Sequence, residues 1–199
     1  MNVTSAMVKE LREKTGAGIM DCKEALTASS GSIDEAIDYL RKQGLQAAAK
    51  RSARSTSDGV VSAYIHGGGR LGVLVEVNCE TDFVARTDEF QELVHDIAMH
   101  IAASNPLYVS PEDIPEDVIA KEREILTEQA KASGRPEHVI AKIVDGRLQK
   151  YFEEVCLLDQ PFVKDANLTI SDLLKEHIAK VGENITISRF ARFALGETS

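Results

Sequence analysis

A chain of 199 residues is long enough for one large domain, or for a small domain beside a larger one. Its 43% hydrophobic and 28% charged residues are those of a globular protein, which excludes a disordered or fibrous chain. The net charge of −9 is uneven, with +2 in residues 1–57 and −11 in residues 58–199, and an acidic body argues against nucleic acid as the main partner.

Three cysteines, Cys22, Cys79 and Cys156, stand far apart with no C-x-x-C pair. They read as reduced thiols and offer neither a disulfide framework nor a zinc site. No apolar leader begins the sequence and no run approaches transmembrane length, so a cytoplasmic protein with no membrane partner is expected.

Val8 and Leu11 mark a first helix, which Thr15-Gly16 breaks. Ile19, Cys22 and Leu26 mark a second, ending at Ser29-Ser30-Gly31. Ser32-Ile33-Asp34-Glu35 is a capping-box pattern, and Ile33, Ile37 and Leu40 then give a third helix its buried face. Residues 1–50 thus form a three-helix domain whose thin core leaves apolar surface for a partner. The Ala-, Ser-, Lys- and Arg-rich stretch from Gln46 to Asp58 is a helix tail passing into a linker, residues 51–58. Residues 59–199 form the core domain.

That domain begins with two strands, Val60 to Ile65 and Leu71 to Val77, around His66-Gly67-Gly68-Gly69-Arg70. In the second, Leu71, Val73, Val75 and Val77 alternate with Gly72, Leu74 and Glu76, the period-2 signature of one apolar face. The glycine triplet lacks the G-x-x-x-x-G-K-[ST] pattern of a phosphate loop and reads as a hairpin turn. Phe90, Leu93, Val94, Ile97 and Ile101 recur at helical spacing, predicting a helix over 88–103 that Ser104-Asn105-Pro106 stops. Cys79 to Arg86 is therefore a strand-to-helix junction. By composition Thr81 and Asp82 are turn or cap residues there and Phe83 is a core anchor.

Val118, Ile119, Ile125 and Leu126 belong to a further helix, ended by Ser133-Gly134-Arg135-Pro136. Ile140, Ile143, Val144, Leu148, Tyr151, Phe152 and Val155 give a long amphipathic helix that pairs antiparallel with it across a short connection. Thr169-Ile170-Ser171-Asp172 opens a last helix, with Leu173, Leu174, Ile178 and Val181 on one face and Gly182 as its stop. Asn184 to Leu195 is strand-like, but its apolar residues switch face from Ile185 and Ile187 to Phe190 and back to Phe193. A bulge or a strand covered on both sides would give that pattern. With the hairpin it makes a three-stranded antiparallel sheet packed with helices, a helical hairpin among them. The fold class is α+β.

No enzyme signature stands out. The sequence has no G-x-S-x-G and no H-E-x-x-H, and His95 and His100 are spaced to face different sides of a helix. Cys79 lies beside Glu80 and Asp82, whose charges would raise a thiol pKa and suppress the thiolate. A non-enzymatic protein without cofactor or metal is expected. A plain adaptor, binding a protein through its three-helix domain, would leave the Asp82-Phe83 junction without a role.

Two motifs carry a resemblance. Thr81-Asp82-Phe83-Val84-Ala85 resembles a signature of bacterial elongation factor Ts, the family of guanine-nucleotide exchange factors for elongation factor Tu. Leu11-Arg12-Glu13-Lys14-Thr15-Gly16-Ala17-Gly18-Ile19-Met20-Asp21-Cys22-Lys23 resembles another, in the family's order, and the likeness runs over essentially the whole chain. The resemblance implies a translation elongation factor of protein biosynthesis that binds the GDP form of elongation factor Tu and promotes GDP release, allowing GTP loading. It implies that Thr81, Asp82, Phe83 and Val84 form an exchange motif, with Asp82 disturbing the magnesium environment and Phe83 wedging among GTPase side chains. It further implies that residues 1–50 have a ubiquitin-associated-type (UBA-like) fold gripping the GTPase through Leu11, Ile19 and Met20, and that His66 in Tyr64-Ile65-His66-Gly67 adds a contact. Gln160-Pro161-Phe162-Val163 also resembles the family. Longer family members carry a duplicated core and this chain a single copy, so a homodimer through the sheet region is expected.

Overall fold

A computed structural model describes residues 3–132 and 136–197. In chain order the elements are α1 (Ser5–Thr15), α2 (Ile19–Ala28), α3 (Ile33–Arg51), β1 (Asp58–His66), β2 (Leu71–Cys79), α4 (Asp82–Ala85), α5 (Asp88–Ser104), α6 (Glu116–Lys131), α7 (Glu137–Val155), β3 (Pro161–Phe162), β4 (Asp165–Thr169), α8 (Ile170–Val181) and β5 (Ile185–Ala194). The fold is α+β, with a three-stranded antiparallel sheet in the order β1-β2-β5. The residues cluster into two compact units. One holds Met1–Gly59, Asn78–Thr87 and Asp172–Thr186; the other holds Val60–Val77, Asp88–Ser171 and Ile187–Ser199.

In the first unit, α1, α2 and α3 close around Leu11, Cys22, Ala25, Leu26 and Ala36, all fully buried, with Met7, Val8, Ile33, Ile37 and Leu40 packed half-buried against them. The first turns of α1 and α3 are capped by side chains. Thr4 Oγ1 accepts from Met7 N at 3.3 Å and Ser32 Oγ from Glu35 N at 3.4 Å, satisfying first-turn amides that have no intrahelical partner. Gly16 ends α1 with a left-handed φ of 68°, a conformation that costs a β-carbon residue more. Ile19, predicted to help mark the buried face of α2, is instead exposed, because the buried stripe of that helix runs through Cys22, Ala25 and Leu26.

In the second unit, the sheet has one covered face. Val73, Val75 and Val77 of β2 are buried. On the same side the Tyr64 ring meets His95 of α5 edge-on at a centroid distance of 5.6 Å, and Arg192 Nε of β5 donates to the Ala102 carbonyl of α5 at 3.4 Å. Along α5 itself, Phe90, Leu93, Val94, Ile97, Ala98 and Ile101 are buried at helical spacing. The opposite face of the sheet is open and apolar: Val61, Ile65, Leu74, Phe193 and Leu195 are all exposed. There Gly72 leaves room for Ile65 Cδ1, which would stand 3.0 Å from a β-carbon at that position. Ser188 and Arg189 are exposed in succession, and after them the half-buried positions fall at Phe190, Arg192 and Ala194. This shift of phase matches the change predicted between Ile187 and Phe190, whereas Phe193 is exposed, so the strand is not covered on both sides there.

α6 and α7 form a helical hairpin with its own core of Leu126, Ala130, Ile140, Val144 and Leu148. The stop predicted at Ser133-Gly134-Arg135 lies outside the described residues, and Pro136 is the N-cap of α7. The two-stranded pair β3-β4 has no counterpart in the sequence reading, since a strand of two residues is too short to show a period. It lies beside His100, a fully buried side chain whose Nε2 is 3.0 Å from Gln160 Oε1 and whose Nδ1 accepts from Val163 N at 3.2 Å. Gln160 Nε2 in turn donates to the Glu154 carbonyl at 2.7 Å. The acceptor role of Nδ1 identifies the neutral ring with its proton on Nε2.

Burial pushes the His100 pKa down, and the Gln160 contact offsets part of that. A histidine held neutral in the folded state takes up a proton more readily when unfolded, so its contribution to stability is lost as pH falls through the unfolded value of about 6.5. Melting temperature should therefore decline between roughly pH 7.5 and 5.5. In His100→Gln the slope over that window should flatten, whatever the absolute melting temperature. An equal slope in the two proteins would assign the acid sensitivity elsewhere.

Candidate partner-binding site

β2 runs out at Cys79, and two residues later the chain turns into α4, a single helical turn. Thr81 is extended at φ −134° and ψ 153°, and its Oγ1 accepts from Val84 N at 3.4 Å, which is an N-cap. The Cys79 thiol lies buried below and donates to the Thr81 carbonyl at 3.2 Å. Desolvation, followed by the charge of Glu183, raises the Cys79 pKa, so the thiol keeps the proton it donates. Asp58 contributes a smaller charge effect; the sequence neighbours Glu80 and Asp82, expected to be the cause, are not the source.

Within α4, Val84 and Ala85 turn inward and are buried. Phe83 points the other way and is 77% exposed. Asp82 is exposed beside it and pairs with Arg86 Nη2 at 2.8 Å, one helical turn on. The junction therefore divides the composition-based reading: Thr81 does cap, but Phe83 anchors no core.

A second chain segment clasps the turn. Glu183 Oε1 accepts from Thr81 Oγ1 at 2.7 Å and Glu183 Oε2 from Thr81 N at 3.0 Å. In the reverse direction, Glu80 Oε1 accepts from Asn184 N at 2.7 Å and meets Arg54 Nη1 at 3.4 Å. Asn184 is buried, and its Nδ2 donates to the Ser52 and Arg54 carbonyls at 3.3 and 2.9 Å. Two consecutive residues on each segment thus exchange carboxylate-to-amide bonds. Sequence reasoning missed Glu183 and Asn184. Beyond the stop at Gly182 nothing local marks them, and their partners lie more than 100 residues away.

The other predicted side chains divide by exposure. Met20 at 72% and Ile19 at 58% exposed stand together at the start of α2. Leu11 is fully buried in the three-helix core, so it cannot touch a partner and acts as support for the helices that present Ile19 and Met20. His66, in the second unit, is exposed at the end of β1 with its Nδ1 3.0 Å from the Tyr64 hydroxyl. Tyr64, held against His95, thereby limits the swing of that ring.

An exposed aromatic side chain on a capped turn, with exposed apolar side chains at a helix start, suits protein binding rather than reaction chemistry. Comparison with known proteins agrees. A family model described as elongation factor Ts matches residues 1–197. The chain is 62% identical over 195 residues to a protein named elongation factor Ts from Carboxydothermus hydrogenoformans, covering 98% of this chain and 90% of that one. It is 58% identical to proteins of the same name from Moorella thermoacetica, covering 98% and 96%, and from Syntrophus aciditrophicus, covering 99% and 98%. The chain therefore belongs to the elongation factor Ts family, nucleotide exchange factors of translation elongation and not catalytic enzymes.

Proposed function

We propose that this chain binds the GDP form of elongation factor Tu and promotes GDP release by disturbing the magnesium and phosphate site through α4. The observation that carries the reading is Phe83, an aromatic side chain left in solvent on a turn whose other residues are buried, capped or paired. A GTPase holds its diphosphate through phosphate-loop amides and Mg²⁺. A partner that prefers the nucleotide-free form must, by linkage, weaken nucleotide binding by the same factor. Phe83 would enter among GTPase side chains as the wedge, and Asp82 would perturb the metal environment electrostatically. Thr81 and Val84 hold the turn from its cap and its buried side.

Residues 1–50, read as a UBA-like module, would dock on the nucleotide-binding domain through Ile19 and Met20, with Leu11 as support. His66 would add a contact from the second unit. The work belongs in the cytoplasm, where translation takes place. The open sheet face supports a homodimer, since an uncovered apolar face with Val61, Leu74 and Phe193 is the kind of surface a second copy covers by two-fold symmetry.

Three outcomes are expected. Phe83→Ala should leave the melting temperature nearly unaltered, where loss of a buried Phe costs about 3–5 kcal/mol. GDP release from elongation factor Tu, followed by stopped-flow fluorescence, should nevertheless slow by about tenfold or more, as an interface hot spot of about 2 kcal/mol requires. A variant that melts far lower, or exchanges at the full rate, would contradict the wedge. Replacing Ile19 and Met20 together by Ala should raise the concentration of factor needed for half-maximal exchange and leave the maximal rate intact, which a titration separates. Light scattering at micromolar concentration should give a dimer mass for the natural chain and a monomer mass for Phe193→Glu; a monomer in both would remove the sheet face as an interface.

A further inference from the structure

We infer that Glu183 is a positioning residue for exchange, fixing α4 through Thr81 so that Asp82 and Phe83 meet the GTPase in one orientation. The inference rests on the reading of Asp82 and Phe83 given above.

The Glu183 carboxylate spends one oxygen on the Thr81 hydroxyl and the other on the Thr81 amide, at 2.7 and 3.0 Å. The first bond sets the hydroxyl rotor. With its proton committed to Glu183, Thr81 Oγ1 turns a lone pair toward Val84 N, so the cap depends on a carboxylate distant in sequence. The second bond satisfies the backbone amide of the residue from which α4 starts. Charge-assisted bonds of this kind are short, and a two-point contact fixes direction as well as distance.

Glu183 is itself fixed. Gly182 before it ends α8 with a left-handed φ of 82°, and its amide donates a hydrogen bond to the Ile178 carbonyl. Asn184 after it is buried and bonded through both its backbone amide and its side chain. The carboxylate thus reaches Thr81 from a held backbone. Nothing else of Glu183 is required for the role, and it need not touch the GTPase.

The test measures release of fluorescent GDP from elongation factor Tu by the full-length chain, in the natural form and in Phe83→Ala, Glu183→Gln and the double variant. A carboxamide keeps the size of Glu183 but offers one acceptor oxygen to two donors. Glu183→Gln should lower the maximal release rate by about tenfold with the half-saturating concentration changed by less than about twofold, the pattern of a lost interaction that acts at the crucial step rather than in docking. In the Phe83→Ala background the same substitution should have almost no further effect, because the two act as one unit. A merely structural role would lower the melting temperature and leave the maximal rate of the folded protein unchanged, with effects additive to Phe83→Ala; either result overturns the inference. If Glu183→Gln fails to melt cooperatively, Glu183→Asp, which leaves the Thr81 cap intact but draws the carboxylate back by one methylene, carries the same expectations. Should the natural chain and Phe83→Ala exchange equally, the wedge reading falls and Glu183 with it. Should those two differ while Glu183→Gln matches the natural chain, the positioning role alone falls.

Discussion

A helical turn of four residues cannot hold itself in water, because its backbone must be fixed before hydrogen bonds repay the lost entropy. Everything about α4 follows from that constraint. Its Val84 amide is met by the Thr81 cap, its start is tied to Glu183, its buried side is Val84 and Ala85, and the thiol below it donates to the Thr81 carbonyl. The reciprocal bonds between 80–81 and 183–184 connect the turn to the end of α8 and, through Asn184, to the backbone at Ser52 and Arg54. A turn so anchored can leave a phenyl ring in solvent without collapsing over it.

The same accounting explains the open face of the sheet. A sheet needs only one buried face to be stable, and α5 covers one. On the other face the chain retains Val61, Ile65, Leu74, Phe193 and Leu195, where polar residues would have been costless. The Glu76–Arg189 pair, 2.8 Å between Oε2 and Nε, is a charged contact on strands that are otherwise apolar there. Exposed apolar area of this extent gains nothing for an isolated chain.

Much of this was legible in the sequence, for reasons that differ by element. The alternation of β2 and the helical stripe of α5 appear because each buries one face against a single neighbouring layer. The stops at Gly16 and Gly182 appear because a left-handed φ favours glycine. Even the face switch in β5 was visible as a change of apolar phase. What stayed hidden was of two kinds. β3 is too short for any period, β4 is exposed over its first three residues and shows no alternation, and the setting of the pair depends on His100 and Gln160, which look like surface residues in sequence. The orientation of Phe83 is decided by which side of a single turn faces the core, and a window of one turn holds too few apolar residues to say. The clasp by Glu183 is a contact between segments far apart in the chain, to which local pattern is blind.

Rigidity and exposure at α4 belong together. A wedge that had to be ordered on binding would spend part of its contact energy on lost side-chain and backbone freedom. Only the difference in affinity between the nucleotide-bound and nucleotide-free GTPase reaches the nucleotide, so an ordering cost confined to the nucleotide-free complex would be energy lost to exchange. Holding α4 in the free protein moves that cost into folding, where the bonds from Glu183, Glu80 and Cys79 offset it. The Asp82–Arg86 pair fits the same scheme from the opposite direction. It lies in solvent, where an ion pair is worth little, so Asp82 would give up almost nothing on leaving Arg86. The strong bonds of the site face inward and fix geometry, and the weak ones face outward into solvent.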